Sequence, residues 1–412
     1  MWRIACRDRH WWVLVSCLIQ AFLLTGCDAL QAQTTLETES SESISSSTRD
    51  VLPEYLVLKQ ASGFIKFSHR NFVADVVQLR DQTQRFCISP DKVSLIQTRM
   101  RWVRAMNAWS AIKTINFGPI DELGLSQNFQ FWPDPTNKVE QGVRSRVSGH
   151  NTELDAALLA KDERASHGLS AIEYLLFDPA VGKLERYQND AHLCGLLENT
   201  VHNLLVSSDR LNRAWQGEYV KRWLFLEQDM IQQGKMKYHV EQMFAGVVMT
   251  LADISQQQLA APLGMKTKAP LDPHFIRTGV RTLEPLRLES WRSKTSLNHI
   301  ASSLQFARKL YEMKHGLGWY LRTLKLNDES LQSSQSERLA LDQVIRDQFK
   351  RIEARISSIH SSAFDLLNQN DTQQLDSLYF EIVQLYGRLG VEYAQLAGFN
   401  LAPKPELSVR ID

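Results

Sequence analysis

The chain predicts an all-α protein assembled from helix bundles. Long segments place apolar residues at helical spacing, and no run alternates apolar and polar residues for long enough to make a strand. Glycine and proline gather at a few breaks, as they do between helices. After the N-terminal leader about 360 residues remain, too many for one small core, so two domains are expected. The first spans 53–232, the second 233–402, and 403–412 forms a tail, with the joint near Gln232.

The N-terminus reads as an export leader over 1–27. Arg3, Arg7 and Arg9 form a basic start, and Trp11 to Leu24 is apolar but too short to span a bilayer as a mature helix. Leu24-Thr25-Gly26-Cys27 resembles a bacterial lipobox, which makes Cys27 the lipidated residue and the membrane a partner through that anchor. Residues 28–52 are dominated by Ser, Thr and Glu and read as a solvated tether. The expected location is the bacterial cell envelope, facing the periplasm, and Asp28 resembles an inner-membrane retention signal. Cys6, Cys17 and Cys27 belong to the leader, so Cys87 and Cys194 are the cysteines left to the fold. In an oxidising compartment they are candidates for a disulfide, the alternative being two buried thiols. Basic and acidic residues number 47 and 46 and are interspersed, so no nucleic-acid partner is expected.

Along the fold, Ser89-Pro90 reads as a helix start, with Ser89 as cap. The helix that follows carries Trp102, Ala105, Trp109 and Ile112 on one stripe, and Val93, Ile96, Met100 and Val103 on an adjoining one. Residues 119–151 read as an irregular packed segment around Phe131-Trp132-Pro133-Asp134-Pro135. Helix then covers a stretch from Glu153 to Asp178, a run from near Leu184 towards Ile231, and Met236–Gln258. Later helices are expected over Ser296–Tyr311, Ser336–Asn368 and Leu375–Leu396, with Gly398 at a C-cap.

The segment from His167 to Phe177 stands apart. Leu169, Ile172 and Leu176 make an apolar stripe, and Ser170 and Glu173 are neighbours on its flank. A carboxylate beside a buried face is costly unless paired, so Glu173 is either an ion-pair member, with an arginine such as Arg99, Arg101 or Arg104, or a ligand-facing group.

This segment resembles the Gly-x-His-x-x-Glu signature of the imelysin-like family. Gly168 and Glu173 match, and Ser170 stands where the family has histidine. The resemblance extends through Arg101-Trp102 to Ala108-Trp109, Phe117-Gly118-Pro119, Phe131-Trp132-Pro133-Asp134, Leu283-Glu284-Pro285, Leu389-Gly390 and Gly398-Phe399-Asn400. It implies two tandem four-helix-bundle-like domains packed side by side, a place in the bacterial envelope, and a link to iron uptake. It also implies a proposed metal-binding peptidase motif, with Glu173 as the metal residue and iron or zinc as the ion.

A metallopeptidase needs about three imidazole or carboxylate ligands around an open position. Ser170 is a poor neutral ligand. His167 would stand about 9 Å along the axis from Glu173 and about 120° around it, too far to share one ion directly. His150 and Glu153 repeat the His-x-x-Glu spacing but read as a loop with a helix cap. No phosphate loop or nucleophile elbow is present, and no catalytic residue is assigned. The tryptophans and arginines of the second helix read as core and solvated face, the alternative being a site for an anionic or carbohydrate-like ligand. The expectation is therefore a lipid-anchored binding protein whose cleft is lined by His167, Gly168, Ser170 and Glu173, taking a metal ion or an envelope protein as partner. The alternatives are a metallopeptidase with ligands from elsewhere and a purely structural envelope protein.

Overall fold

Pro53 opens the first helix, α1 (Pro53–Ile88), where a missing N–H is no loss. Its buried Leu58, Ile65, Phe72, Leu79 and Phe86 recur at sevenfold spacing, which keeps one side of a 36-residue helix facing the core. The computed structural model describes residues 52–149, 161–224, 233–265, 281–324 and 335–401. The leader with Cys27 and Asp28, His150 and Glu153, the joint at Gln232 and the C-terminal tail lie outside them.

The other main helices are α2 (Lys92–Ile112), α3 (Lys138–Gly149), α4 (Gly168–Phe177), α5 (Ala191–Gln216), α6 (Gln233–Asp253), α7 (Ser296–Glu312), α8 (Gln335–Ser358) and α9 (Gln373–Gly387). No strand occurs among the described residues. The fold is all-α. Helices α1, α2, α4 and α5 pack against one another, as do α6, α7, α8 and α9. Helix α7 also packs on α2, and α6 on α1, so a continuous apolar core runs through both groups. The described residues all fall in one compact unit. None of their helices is long and apolar enough to cross a membrane.

Several expected boundaries move for local reasons. The cap of α2 is Asp91: its carboxylate accepts the Ser94 N–H at 2.8 Å, and the Ser94 hydroxyl closes the reciprocal bond. Ser89 instead ends α1. On α2 the Trp102 stripe is buried, whereas Val93, Ile96 and Met100 are exposed. The segment expected to be irregular contains α3 and two short helices, Pro119–Glu122 and Ser126–Phe129. The run from Leu184 breaks at Asp190, whose side chain caps α5, and again at Gly217. Ser362 caps a separate short helix, Ala363–Asn368. Helices α6 and α9 both continue into wider π-helical turns, Ile254–Ala260 and Arg388–Tyr393. Gly398 takes the left-handed conformation that ends the last helix.

Cys87, at the end of α1, is bonded to Cys194 in the first turn of α5, with 5.6 Å between their Cα atoms. The bond ties together the ends of two helices that also pack along their length.

Candidate functional site

Helix α4 is buried on every side: Leu169, Ala171, Ile172, Glu173, Tyr174, Leu175 and Leu176 are all enclosed, not one stripe alone. A helix so placed needs partners for its ends and its polar groups. Its first residue shows how tightly it is held. Gly168 has φ +65°, and a Cβ there would stand 2.5 Å from the Phe129 carbonyl oxygen and 2.6 Å from that of Asn128. Glycine is the residue that allows this approach. The Trp102 indole N–H donates to the Leu169 carbonyl at 2.9 Å, and Arg99 donates to the carbonyls of Leu176 and Gly182 at 2.8 and 2.9 Å.

The motif side chains are joints to distant segments. The Ser170 hydroxyl donates to the Phe131 carbonyl at 3.1 Å. Glu173 accepts the backbone N–H of Ser293 at 2.8 Å through Oε1. Its neighbours are thus a turn 120 residues away and not the arginines of α2. Burial pushes its carboxyl up to about 7, against the opposing pull of the Ser293 hydrogen bonds and of Arg292. His167 sits outside α4 as its N-cap. Its imidazole is buried, and neither ring nitrogen has a hydrogen-bond partner. Burial, helped by the nearby Arg146 charge, lowers it to about 4 and keeps it neutral.

The turn that meets Glu173, residues 289–295, is held from all sides. Arg292 donates to Asp178 at 2.9 Å and to Glu140 at 3.2 Å, while its guanidinium lies over the rings of Tyr174 and Trp291. Glu289 is fully buried, and its Oε1 accepts from Lys113 Nζ and from Gln130 Nε2, both at 2.8 Å. Its Oε2 has no partner. Burial raises the Glu289 carboxyl, but the Lys113 charge, with the hydrogen bonds from Lys113 and Gln130, outweighs it and holds the group below its ordinary value. Burial would lower the Lys113 amine, yet Glu289 and Asp253 hold it above its usual range. Asp253 is itself raised, by burial first. His299 bonds Asn107 Oδ1 through Nδ1 at 3.0 Å and Thr295 Oγ1 through Nε2 at 2.9 Å; burial lowers it to about 4, so it stays neutral.

The site is therefore a desolvated junction of α2, α4, the 129–132 segment and the 289–295 turn. It brings Gly168, Ser170 and Glu173 together with Lys113, Gln130, Glu289, Arg292, Ser293 and His299. Sequence reasoning missed that second set. The one signal nearby was Leu283-Glu284-Pro285, which marks the segment but not its carboxylate. Ser290 and Lys294, with φ of 54° and 61°, hold the turn in a left-handed conformation that few non-glycine residues adopt. Among the described residues no three His, Cys, Asp or Glu side chains converge as a metal-binding group.

A family model described as Imelysin matches residues 66–388. A solved structure of an imelysin-like protein from Psychrobacter arcticum 273-4 superimposes with a TM-score of 0.67 at 17% identity, covering 85% of this chain and 97% of that one. A candidate iron-regulated protein A precursor from Parabacteroides distasonis ATCC 8503 gives 0.63 at 16% identity, covering 84% of this chain and 95% of that one. No curated protein matches.

Proposed function

Because the chain belongs to the imelysin family, we propose that it is an exported, lipid-anchored envelope protein that assists iron uptake by binding and has no peptidase activity. The observation that carries the second half is what the motif side chains touch. The Ser170 hydroxyl is held by the Phe131 carbonyl, and Glu173 by the Ser293 amide. A hydrolytic zinc or iron centre needs about three anionic or imidazole ligands and an open position. Serine in the histidine place is a poor ligand, and the described residues bring no such set together. Among the described residues the donor set does not fit a catalytic metal. Glu173 serves the junction between the two groups of helices. Support for the iron role comes from the family and from the description of the Parabacteroides distasonis relative as iron-regulated.

One observation favours the metallopeptidase instead: the two unpartnered nitrogens of His167, one residue before the motif helix. A single experiment separates the two. Metal analysis of the tag-free protein and of Glu173→Ala, with peptide cleavage measured with and without chelator, should show no stoichiometric metal lost on substitution and no chelator-sensitive cleavage. Stoichiometric metal that disappears in the variant, together with cleavage, would replace the binding reading by the peptidase. Anchoring is checked separately: Cys27→Ala should move the protein from the membrane fraction to the soluble one.

A further inference from the structure

Apart from the Glu173 junction, a half-open cleft of about 700 Å³ lies among the segment after α2, the short helix Glu218–Trp223, α6 and the residues following Gly398. None of the junction residues lines it. Its size is that of a small-molecule site.

The cleft walls are aromatic, and their placement is built into the backbone. Gly118 has φ +69°, and a Cβ on it would stand 2.3 Å from Tyr219 Cζ, so glycine is what lets the Tyr219 ring approach the chain there. Trp215 packs edge-on against the Tyr219 ring at 4.9 Å. Trp223, nearly enclosed, is set by Trp215 and Phe117, each with ring centres 5.9 Å away. Tyr238 is 55% exposed. Gln242 steadies it, donating to its hydroxyl at 3.1 Å while its amide oxygen pairs with His239 Nδ1 at 2.8 Å.

Charge in the cleft is one-sided. Asp121, Glu122 and Glu241 line it against one guanidinium, Arg222. Arg222 is already engaged: it donates to Glu122 at 3.2 Å and lies over the Tyr219 ring, 5.4 Å from its centre. The cleft thus uses cation–aromatic contact within its own wall, and Asp121 and Glu241, the latter accepting the Asn400 N–H at 3.0 Å, leave negative charge in excess. Aromatic faces with nearby carboxylates attract a cation that is too bulky and weakly hydrated to need hydrogen bonds, the chemistry by which quaternary ammonium groups are held.

We propose that this cleft is a binding site for a small organic cation of the quaternary or alkylammonium class. Its aromatic face is the exposed ring of Tyr238, backed by the wall of Tyr219 and Trp223, and its charge faces Asp121 and Glu241. The site does not depend on the function proposed for the Glu173 junction.

Titration calorimetry at constant ionic strength tests it, with choline and tetramethylammonium as probes and 3,3-dimethylbutan-1-ol as the uncharged shape analogue of choline. Both cations should bind saturably, and the alcohol about tenfold more weakly or not at all. Tyr238→Ala and Asp121→Asn change exposed side chains, so both should keep the parental melting temperature while weakening choline several-fold. The proposal is overturned by any of three results: no saturable binding of either cation, equal affinity for the alcohol, or unchanged choline affinity in both folded variants. Binding of a neutral saccharide such as cellobiose without binding of either cation would assign the cleft to another ligand class and overturn it equally.

Discussion

Burying a carboxyl group favours its protonated form, and among the described residues Glu173, pushed up to about 7, is the clearest case. Its reference value is 4.5. Between those two values the folded state keeps a proton that the unfolded chain has released, so this group withdraws stability as the pH rises through that window. The loss stays complete above it and is of order 3 kcal/mol. Glu173→Gln, neutral at every pH and still able to accept from Ser293, should flatten this part of the profile. Urea denaturation at pH 5 and pH 8 should find the variant at least as stable as the parent at pH 8. Two glycines give a contrast at the same scale. Gly168→Ala forces a side chain onto two carbonyl oxygens at a positive φ and should cost more than about 2 kcal/mol. Gly63→Ala, in the exposed middle of α1 with nothing within 4 Å, should instead gain about 0.5–1 kcal/mol in the same denaturation assay. The sequence singled out Glu173 as a carboxylate in a costly place. It could not name Ser293 as its partner, because a turn 120 residues away leaves no trace in local spacing.

At the scale of elements, helix existence was legible and helix ends were less so. Apolar periodicity placed α2, α6 and α7 well, because a packed helix must keep one stripe of its surface apolar. It also put Val93, Ile96 and Met100 on an adjoining apolar stripe, and that face meets solvent. Periodicity reports which residues share a face, and only packing decides whether that face is covered. The Ser89-Pro90 start shifted to Asp91 for a related reason: both are good signals, and the reciprocal bond with Ser94 selects one. Cys87 and Cys194 are the two cysteines after residue 27, and the structure joins them across a separation of 107 residues. Replacing both by serine should lower unfolding free energy by about 4–5 kcal/mol, measured by guanidinium denaturation, with the parent showing the same drop under reductant.

At the scale of the whole molecule, the two groups of helices meet through Lys113 of the segment after α2 and Glu289 of the later half, 176 residues apart. Removing one member of a buried pair strands the other. Lys113→Met should therefore cost about 3–5 kcal/mol at neutral pH. Part of that loss should return on acidification, since the stranded Glu289 carboxylate is then relieved by taking up a proton. The double variant Lys113→Met/Glu289→Gln should recover most of the stability at every pH, and a double-mutant cycle by chemical denaturation measures the coupling.

The sequence by itself determined the all-α class and the family, and it marked the stretch around Gly168 and Glu173. Each of these rests on local information: periodicity, turn residues, and a motif read in one stretch. Tertiary structure alone decided that Ser170 and Glu173 act as joints to Phe131 and Ser293, that Lys113 and Glu289 lie beside them, and that Tyr219 and Tyr238 face a common cleft. Those facts depend on which distant segments meet once apolar surfaces are buried together, and a desolvated polar group takes whatever partner that meeting brings.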